Sequence, residues 1–131
     1  MFSCPIQIRM SDLDPFDHVN NGAQCNLFDF GRTSFFESVF NNKIDWLTFN
    51  YVLVHVEMDF KSPVRIHDNI VCETEVYDKG RTSFKMVQYL KNAVTNDIHT
   101  VCRSVIVCID REKNVPKEIP DDQRFMLGFG F

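Results

Sequence analysis

The sequence lacks the patterns that mark several common protein classes. Its five cysteines are dispersed at positions 4, 25, 72, 102 and 108, with no C-x-x-C pair and no metal-like spacing to the four histidines. An odd, scattered set of this kind indicates reduced thiols. No apolar run approaches the length of a membrane span, and the first ten residues lack the basic flank and apolar segment of a signal peptide. We therefore expect no bound metal, no membrane span and a cytoplasmic location.

Clustered positive charge and the best-known catalytic motifs are also missing. The 14 lysines and arginines are scattered among 18 acidic residues, and the formal net charge of −4 gives little support for nucleic-acid binding. There is no G-x-S-x-G turn, no phosphate-cradling Gly-rich loop and no H-E-x-x-H sequence. A serine hydrolase, a P-loop nucleotide enzyme and a zinc protease are therefore poor interpretations.

Apolar residues, by contrast, are plentiful. They make up 44% of the 131 residues, and phenylalanine occurs 13 times against a single tryptophan. A chain of this length and composition forms a packed interior and matches the usual size of one domain. We predict a single domain over residues 1–131.

Polar residues are concentrated just ahead of an amphipathic segment in residues 10–32. Six of them fall within ten positions: Asp12, Asp14, Asp17, His18, Asn20 and Asn21. The apolar residues that follow recur at helical spacing, so a helix is predicted over residues 21–40, starting near Asn20 or Asn21. The unpaired N–H groups at such a start would face the loop and could hold a developing negative charge beside Asp14 or His18.

A calcium loop is the first alternative for this acidic run, and its spacing argues against it. Counted from Asp12, the fifth position is Phe16, the sixth is Asp17 where glycine is required, and the twelfth is Ala23 where a bidentate glutamate is required. Ordinary turns and helix caps are the second alternative, because Asp and Asn are common in both.

The remaining pattern is dominated by strands. β-forming runs are predicted at residues 2–10, 51–61, 70–77, 81–90 and 99–110, with a connector at 43–49 that presents Trp46 and Leu47 to the core. The helix is expected to stop at positions 41 and 42, and a short final helix to start at Pro120. Gly31 lies on the apolar row of the long helix, where a missing Cβ would let a sheet approach. One helix followed by a run of strands predicts an α+β fold with a five-stranded antiparallel sheet.

The string D-L-D-P-F-D-H-V-N-N resembles the signature of hot-dog-fold acyl thioesterases of the 4-hydroxybenzoyl-CoA thioesterase type, and also that of acyl-ACP thioesterases. The resemblance extends to D-F-K-S-P at 59–63 and G-R-T-S-F at 80–84. It implies a sheet wrapped around one long helix, and a homodimer or dimer of dimers with sites at the interface. It also implies hydrolysis of a fatty or aryl acyl-CoA thioester, in which CoA or pantetheine belongs to the substrate and no cofactor is needed.

The same resemblance implies roles for individual residues. Asp14 is the catalytic carboxylate, acting as base or nucleophile, and the main-chain N–H of Asn21 is the oxyanion donor, with His18 in support. The residues that it places at the substrate are Asn20, Gln24, Lys61, Arg81 and Ser83. Solvated strand and turn residues are the competing interpretation of Lys61, Arg81 and Ser83.

Two departures from the family pattern concern the substrate. Asp17 stands where glycine is common, and aspartate tolerates the backbone angles of such a turn better than most residues. Gln24 replaces a tyrosine early in the helix and alters the acyl pocket or the support of the loop. Hydrolysis of an acyl-ACP thioester and a non-catalytic acyl-binding module stay open as alternatives. A hot-dog dehydratase or hydratase would show a different pairing of histidine and acidic residues.

Overall fold

The computed structural model describes residues 1–41 and 43–128 of the chain, and position 42 and residues 129–131 lie outside that range. The long helix α1 lies against an antiparallel sheet whose strands run in the order β1-β3-β4-β5-β2. The elements are β1 (Phe2–Ile6), a 3-10 turn (Met10–Asp12), α1 (Asn21–Val39), β2 (Tyr51–Phe60), β3 (Ile70–Tyr77), β4 (Ser83–Asn92), β5 (Ile98–Asp110), β6 (Val115–Pro116) and α2 (Asp121–Met126). The two-residue β6 pairs with the end of β5, and it was not among the five predicted strands.

Helix α1 covers one half of the sheet. It contacts β1, β3 and β4, and it approaches so closely that a Cβ on Gly31 would lie 2.5 Å from Cys72 Sγ and 3.0 Å from Gln88 Nε2. Real Cβ atoms do not come that close to a heavy atom, so the glycine allows the packing distance. The predicted role of Gly31 is confirmed.

Two apolar clusters fill the space under α1. One lies toward the start of the helix around Phe28, Ile70 and Leu90, and the other lies around Phe36, Phe84 and Ile106. Burial raises the pKa of the Cys72 thiol, which lies in the first cluster, to about 12. That thiol is therefore neutral and unreactive at ordinary pH. All five cysteines are free thiols, as predicted.

A charged side chain is buried between the helix and the sheet. Arg32 is 7% exposed and donates to Gln88 Oε1 at 2.8 Å and to Asp29 Oδ1 at 2.5 Å. Gln88 in turn donates from Nε2 to the carbonyl of Phe28 and to Thr74 Oγ1. Because buried polar groups are tolerated only with partners, this network ties α1 to β3 and β4 in one register.

Strand β2 forms the far edge of the sheet, and among the described residues no strand pairs with its outer side. Four apolar residues of the strand are exposed to between 43% and 58%: Leu53, Val54, Val56 and Phe60. A bulge between Leu53 and His55 interrupts the alternation of the strand. Strict alternation predicts that Tyr51 and Leu53 face away from Val56 and Phe60. That prediction is wrong, because the extra residue at the bulge brings both groups to the same face.

Several predicted boundaries differ from the observed ones. β1 ends at Ile6 instead of position 9 or 10, because its partner strand β3 begins at Ile70, the residue that pairs with Ile6. β4 starts at Ser83 instead of position 81. Trp46 and Leu47 were predicted to lie in the core, but both are exposed. Helix α1 ends at Val39, followed by Asn41 with a positive φ of 56°, as expected of asparagine after a helix, while Asn42 lies outside the described residues.

Candidate functional site

A crevice of about 210 Å³ opens where the loop before α1 meets the end of β2. Two stretches of the chain line it: the loop and first turn of α1, with Asp14, His18, Val19, Asn21 and Gln24, and the end of β2 with the segment after it, with Phe60, Lys61, Ser62 and Pro63. Five of the eight residues that the sequence predicted as catalytic or substrate-binding therefore lie together. A hydrogen bond joins the loop before α1 to the segment after β2: the N–H of Val19 donates to the carbonyl of Val64 at 2.7 Å.

The loop holds Asp14 in a defined orientation. Its Oδ1 accepts hydrogen bonds from the main-chain N–H groups of Phe16, at 2.9 Å, and His18, at 3.2 Å. Asp17 has a φ of +61°, a left-handed geometry that aspartate tolerates better than most residues other than glycine. The second oxygen, Oδ2, accepts no hydrogen bond from the described residues. One oxygen therefore supports the loop while the other is free for chemistry.

The start of α1 presents a free donor to the same crevice. The side chain of Asn20 caps the helix and accepts from the N–H of Gly22 at 2.7 Å. Within residues 1–41 and 43–128, the main-chain N–H of Asn21 has no acceptor. The first N–H groups of a helix carry its positive end, so this donor favours negative charge in the crevice.

Gln24 is fixed at the back of the crevice. It is 3% exposed, its Oε1 accepts from Thr100 Oγ1 at 2.6 Å, and its Nε2 lies 3.5 Å from the carbonyl of Val19. These contacts connect the first turn of α1 with β5. The sequence analysis did not assign Thr100 a role. Its hydrogen bond to Gln24 depends on the register of β5, which the local sequence does not reveal.

Asp12, the other acidic residue of the motif, has a structural environment. Its carboxylate is buried, Oδ2 accepts from the main-chain N–H of Arg9 at 2.8 Å, and Oδ1 accepts from the Arg9 guanidinium at 3.1 Å. Burial by itself raises the pKa of Asp12, but the hydrogen bonds and charge of Arg9 outweigh it and the pKa is lowered. Asp12 therefore stays ionised and pins the loop.

Three predicted substrate residues lie outside the crevice within one chain. Asn20 is occupied as the helix cap. Ser83 pairs with Val107 on β5, whereas Phe60 in the crevice wall pairs with Thr100. At about 3.3 Å per residue, Ser83 is roughly 23 Å from the crevice along the sheet. Arg81, next to Ser83, lies 3.7 Å from Glu118 in an exposed ion pair.

Ser62 and Pro63 belong to the wall although the sequence did not assign them a role. The signal available was the D-F-K-S-P string, in which Lys61 alone was assigned. Larger cavities exist, including one of about 730 Å³ between β1 and the outer side of α1. That cavity contains no carboxylate and no free helix N–H, so the smaller crevice has the chemistry of a reaction site.

Comparison with known proteins identifies the family of the chain. A family model described as the thioesterase-like superfamily matches residues 8–126. No curated protein matches the sequence significantly. No helix in the described part of the chain combines the length and the apolarity that crossing a membrane requires.

Solved structures superpose over nearly the whole chain. A predicted thioesterase from Bacillus stearothermophilus is 25% identical with a TM-score of 0.87, over 96% of this chain and 92% of that one. A thioesterase complexed with coenzyme A and Zn from Thermus thermophilus is 22% identical, with a TM-score of 0.84 and 96% of both chains covered. A 1,4-dihydroxy-2-naphthoyl-CoA thioesterase from Synechocystis is 17% identical, with a TM-score of 0.83 over 96% and 94%.

The fold of the latter two structures is the same as that of this chain, and the family match spans the loop, the helix and the sheet that form the crevice. The predicted α+β hot-dog fold is therefore confirmed, and thioester hydrolysis is the reaction that the family supports. The chain belongs to the thioesterase-like superfamily.

Proposed function

We propose that the chain hydrolyses an acyl-CoA thioester to the free acid and CoA, with Asp14 as the catalytic carboxylate. One observation carries the proposal: the free Oδ2 of Asp14 and the unpaired N–H of Asn21 belong to residues of the same crevice. A carboxylate and a helix N-terminus are sufficient for this reaction, because a thioester is already activated toward acyl transfer.

The carboxylate can act in either of two ways. As a nucleophile, Oδ2 adds to the thioester carbonyl, the C–S bond breaks, CoA leaves as a thiolate that takes a proton, and water then hydrolyses the acyl anhydride. As a base, Asp14 removes a proton from water while the water oxygen adds to the same carbon; the C–S bond then breaks, and CoA leaves as a thiolate that takes this proton from Asp14. In both routes the carbonyl oxygen gains negative charge, which the N–H of Asn21 stabilises. His18 supports the carboxylate from the crevice wall.

CoA is preferred over an acyl carrier protein as the thiol component. The structurally similar Thermus thermophilus protein is complexed with coenzyme A. The net charge of −4 disfavours a carrier protein that is itself acidic, whereas Lys61 can meet the phosphates of CoA at the crevice. The apolar ring of Phe60 offers a surface for a fatty or aryl acyl group.

A second copy of the chain would complete the site. A volume of about 210 Å³ is smaller than an ordinary ligand site of about 300–1,000 Å³, and the crevice adjoins the uncovered edge strand β2. An exposed apolar edge strand is a template for pairing with another chain. We propose a homodimer formed along β2, from which a dimer of dimers can be built.

Two-fold pairing along β2 also gives a role to the distant predicted residues. Such pairing brings the Tyr51 end of one strand beside the Phe60 end of the other. Arg81 and Ser83 lie at the Tyr51 end of the sheet. They would then reach within three strand spacings, roughly 14 Å, of the crevice in the other copy and could contact the nucleotide part of CoA.

The decisive experiment measures release of free thiol from a panel of aliphatic and aromatic CoA thioesters and acyl-ACP. The test variant is Asp14→Asn, which keeps Oδ1 as an acceptor for the loop but removes the charge. The control is Asp17→Asn, which removes a neighbouring exposed carboxylate at a left-handed position that asparagine tolerates.

We expect the wild-type chain to turn over at least one CoA thioester. Asp14→Asn should lose at least about a hundredfold in kcat, as expected for loss of a catalytic base or nucleophile, while Asp17→Asn stays near wild type. Equal rates for Asp14→Asn and the wild type would remove Asp14 from its role. Activity confined to acyl-ACP would move the assignment to the carrier-linked ester, and no activity on any ester would favour an acyl-binding module.

A further inference from the structure

A serine in the wall of the crevice is paired with a buried histidine, and the proposed mechanism uses neither. Ser62 Oγ lies 2.9 Å from His99 Nδ1. The carbonyl of His99 also accepts from the N–H groups of Lys61, at 2.8 Å, and Ser62, at 3.1 Å. The segment after β2 is therefore held to the start of β5 by three hydrogen bonds that meet at one residue.

The far side of the imidazole determines which atom carries its proton. His99 is 8% exposed, and its Nε2 is buried with no partner among the described residues. A proton on Nε2 would leave a buried N–H without an acceptor, and orphaned buried donors are rarer than orphaned acceptors. The neutral ring therefore carries its proton on Nδ1, where it donates to Ser62 Oγ.

The consequence concerns the serine hydroxyl. With Oγ accepting from His99, the proton of the hydroxyl is free to point elsewhere, and Ser62 lines the crevice. We propose that Ser62 donates a hydrogen bond to a carbonyl oxygen of the bound thioester, and that His99 positions it. The proposal rests on the function proposed above and adds a second donor, from the segment after β2, to the N–H of Asn21.

A Ser-His nucleophile pair is the competing interpretation, and the geometry opposes it. A histidine that activates a serine must accept the serine proton, and it is itself oriented by a third group on its other nitrogen. Nε2 of His99 has no such group within the described residues. With Nδ1 of His99 as the donor, the hydroxyl proton of Ser62 points away from the imidazole ring.

The tautomer can be measured without any substrate. In NMR spectra of ¹⁵N,¹³C-histidine-labelled protein at about pH 8, where histidine is ordinarily neutral, the His99 signals are identified by their loss in His99→Asn. We expect the Nδ1–H tautomer for His99. The Nε2–H tautomer would overturn the proposal, because the serine proton would then be committed to the ring.

Kinetic variants test the role toward the substrate. Ser62→Ala should lower kcat/KM between about threefold and tenfold, the loss expected for one uncharged hydrogen bond, and Ser62→Thr should restore most of it. Ser38→Ala, on the exposed side of α1, is the control. A fall in kcat would support a bond to the thioester carbonyl, whereas a rise in KM alone would overturn that assignment, because the bond would then lie on an amide carbonyl of the pantetheine arm.

Variants of His99 separate positioning from folding. Asparagine can donate from its side-chain amide where the Nδ1–H lay, whereas leucine of similar volume cannot. His99→Asn should therefore keep more of kcat/KM than His99→Leu at equal melting temperature. Equal activity of both variants would overturn the positioning role.

The outcomes distinguish this proposal from the function on which it rests. A wild-type chain that hydrolyses nothing on the panel overturns the proposed function. An active wild-type chain with an equally active Ser62→Ala variant overturns only the role of Ser62. A loss of about a thousandfold or more in Ser62→Ala, with a covalent acyl adduct on Ser62 in the wild type by mass spectrometry, would make Ser62 the nucleophile and overturn the donor role.

Discussion

Asp14 and His18 are joined by reciprocal hydrogen bonds. The main-chain N–H of Asp14 donates to the carbonyl of His18 at 2.8 Å, and the N–H of His18 donates back to Asp14 Oδ1 at 3.2 Å. The carboxylate proposed for catalysis therefore also stabilises its own loop. Its position in the crevice is set by the backbone of the loop, which costs no reorganisation when a substrate arrives.

This double role predicts different effects of two substitutions at position 14. Asp14→Ala removes the acceptor for Phe16 and His18 and should lower the free energy of unfolding by about 1–2 kcal/mol. Asp14→Asn keeps an acceptor oxygen and should unfold within about 0.5 kcal/mol of the wild type. Urea denaturation followed by circular dichroism measures both. If the two variants are equally stable, the hydrogen bonds at Oδ1 do not support the loop.

The contact between Gly31 and Cys72 predicts a coupled effect on stability. Gly31→Ala places a Cβ 2.5 Å from Cys72 Sγ and should destabilise the fold by about 1–3 kcal/mol, although alanine is the better helix former. In a Cys72→Ala background the sulfur is gone, so the same substitution should cost less. A double-mutant cycle in urea should give a coupling of at least about 0.5 kcal/mol. Strict additivity would show that the clash is relieved elsewhere.

The environment of Asp12 predicts a dependence of stability on pH. The pKa of the folded-state carboxyl is lowered, so its contribution is fully present above the ordinary pKa of aspartate, about 3.9. That contribution is lost as the pH falls through the lower folded-state pKa. Asp12→Asn should therefore be less stable than the wild type at neutral pH, and the difference should shrink in acid below about pH 4.

Thermal unfolding between neutral pH and about pH 2 measures this difference. The matched control is Asp97→Asn, an exposed loop residue whose carboxylate accepts no hydrogen bond from the described residues. A constant gap between wild type and Asp12→Asn across the whole pH range would contradict the ionised state of Asp12.

The uncovered edge of the sheet predicts how a dimer can be broken. A lysine in place of Val56, which is 45% exposed on β2, puts charge into the proposed interface and should yield monomers. Val94→Lys, in an exposed loop, is the control. Sedimentation velocity should show a dimer for the wild type and for the control. A wild-type monomer would contradict the dimer, and thiol release by a monomeric Val56→Lys chain at the wild-type rate would show that one copy suffices.

The local structure of the site was largely predictable. Asn20 and Asn21 mark the start of α1 because asparagine is a common helix cap; the side chain of Asn20 accepts from the N–H of Gly22, and the helix begins at Asn21. β3 was predicted at its observed bounds, since β-branched residues alternate between clear turns. The faces of β2 were predicted wrongly, because a bulge adds one residue and leaves no signature in an alternating sequence.

Both the local sequence and the tertiary structure determine which residues line the crevice. Asp14, His18, Asn21 and Gln24 are close together in the chain, so one loop and one helical turn bring them to the same place. Ser62 and Thr100 are far from them in sequence, and only the pairing of β2 with β5 delivers them to the site. Arg81 and Ser83 belong to a separate string, G-R-T-S-F, that the family resemblance also covers, and the sheet carries them to its other end.

The sequence by itself determined the caps, the periodicities and the acidic loop, because those features depend on neighbours within a few residues. The tertiary structure decided which oxygen of Asp14 is free, which ring nitrogen of His99 meets Ser62, and which strand is left at the edge of the sheet. These features depend on packing between segments that are distant along the chain. Strand register and helix approach are set there by the volume and hydrogen bonding of the whole core.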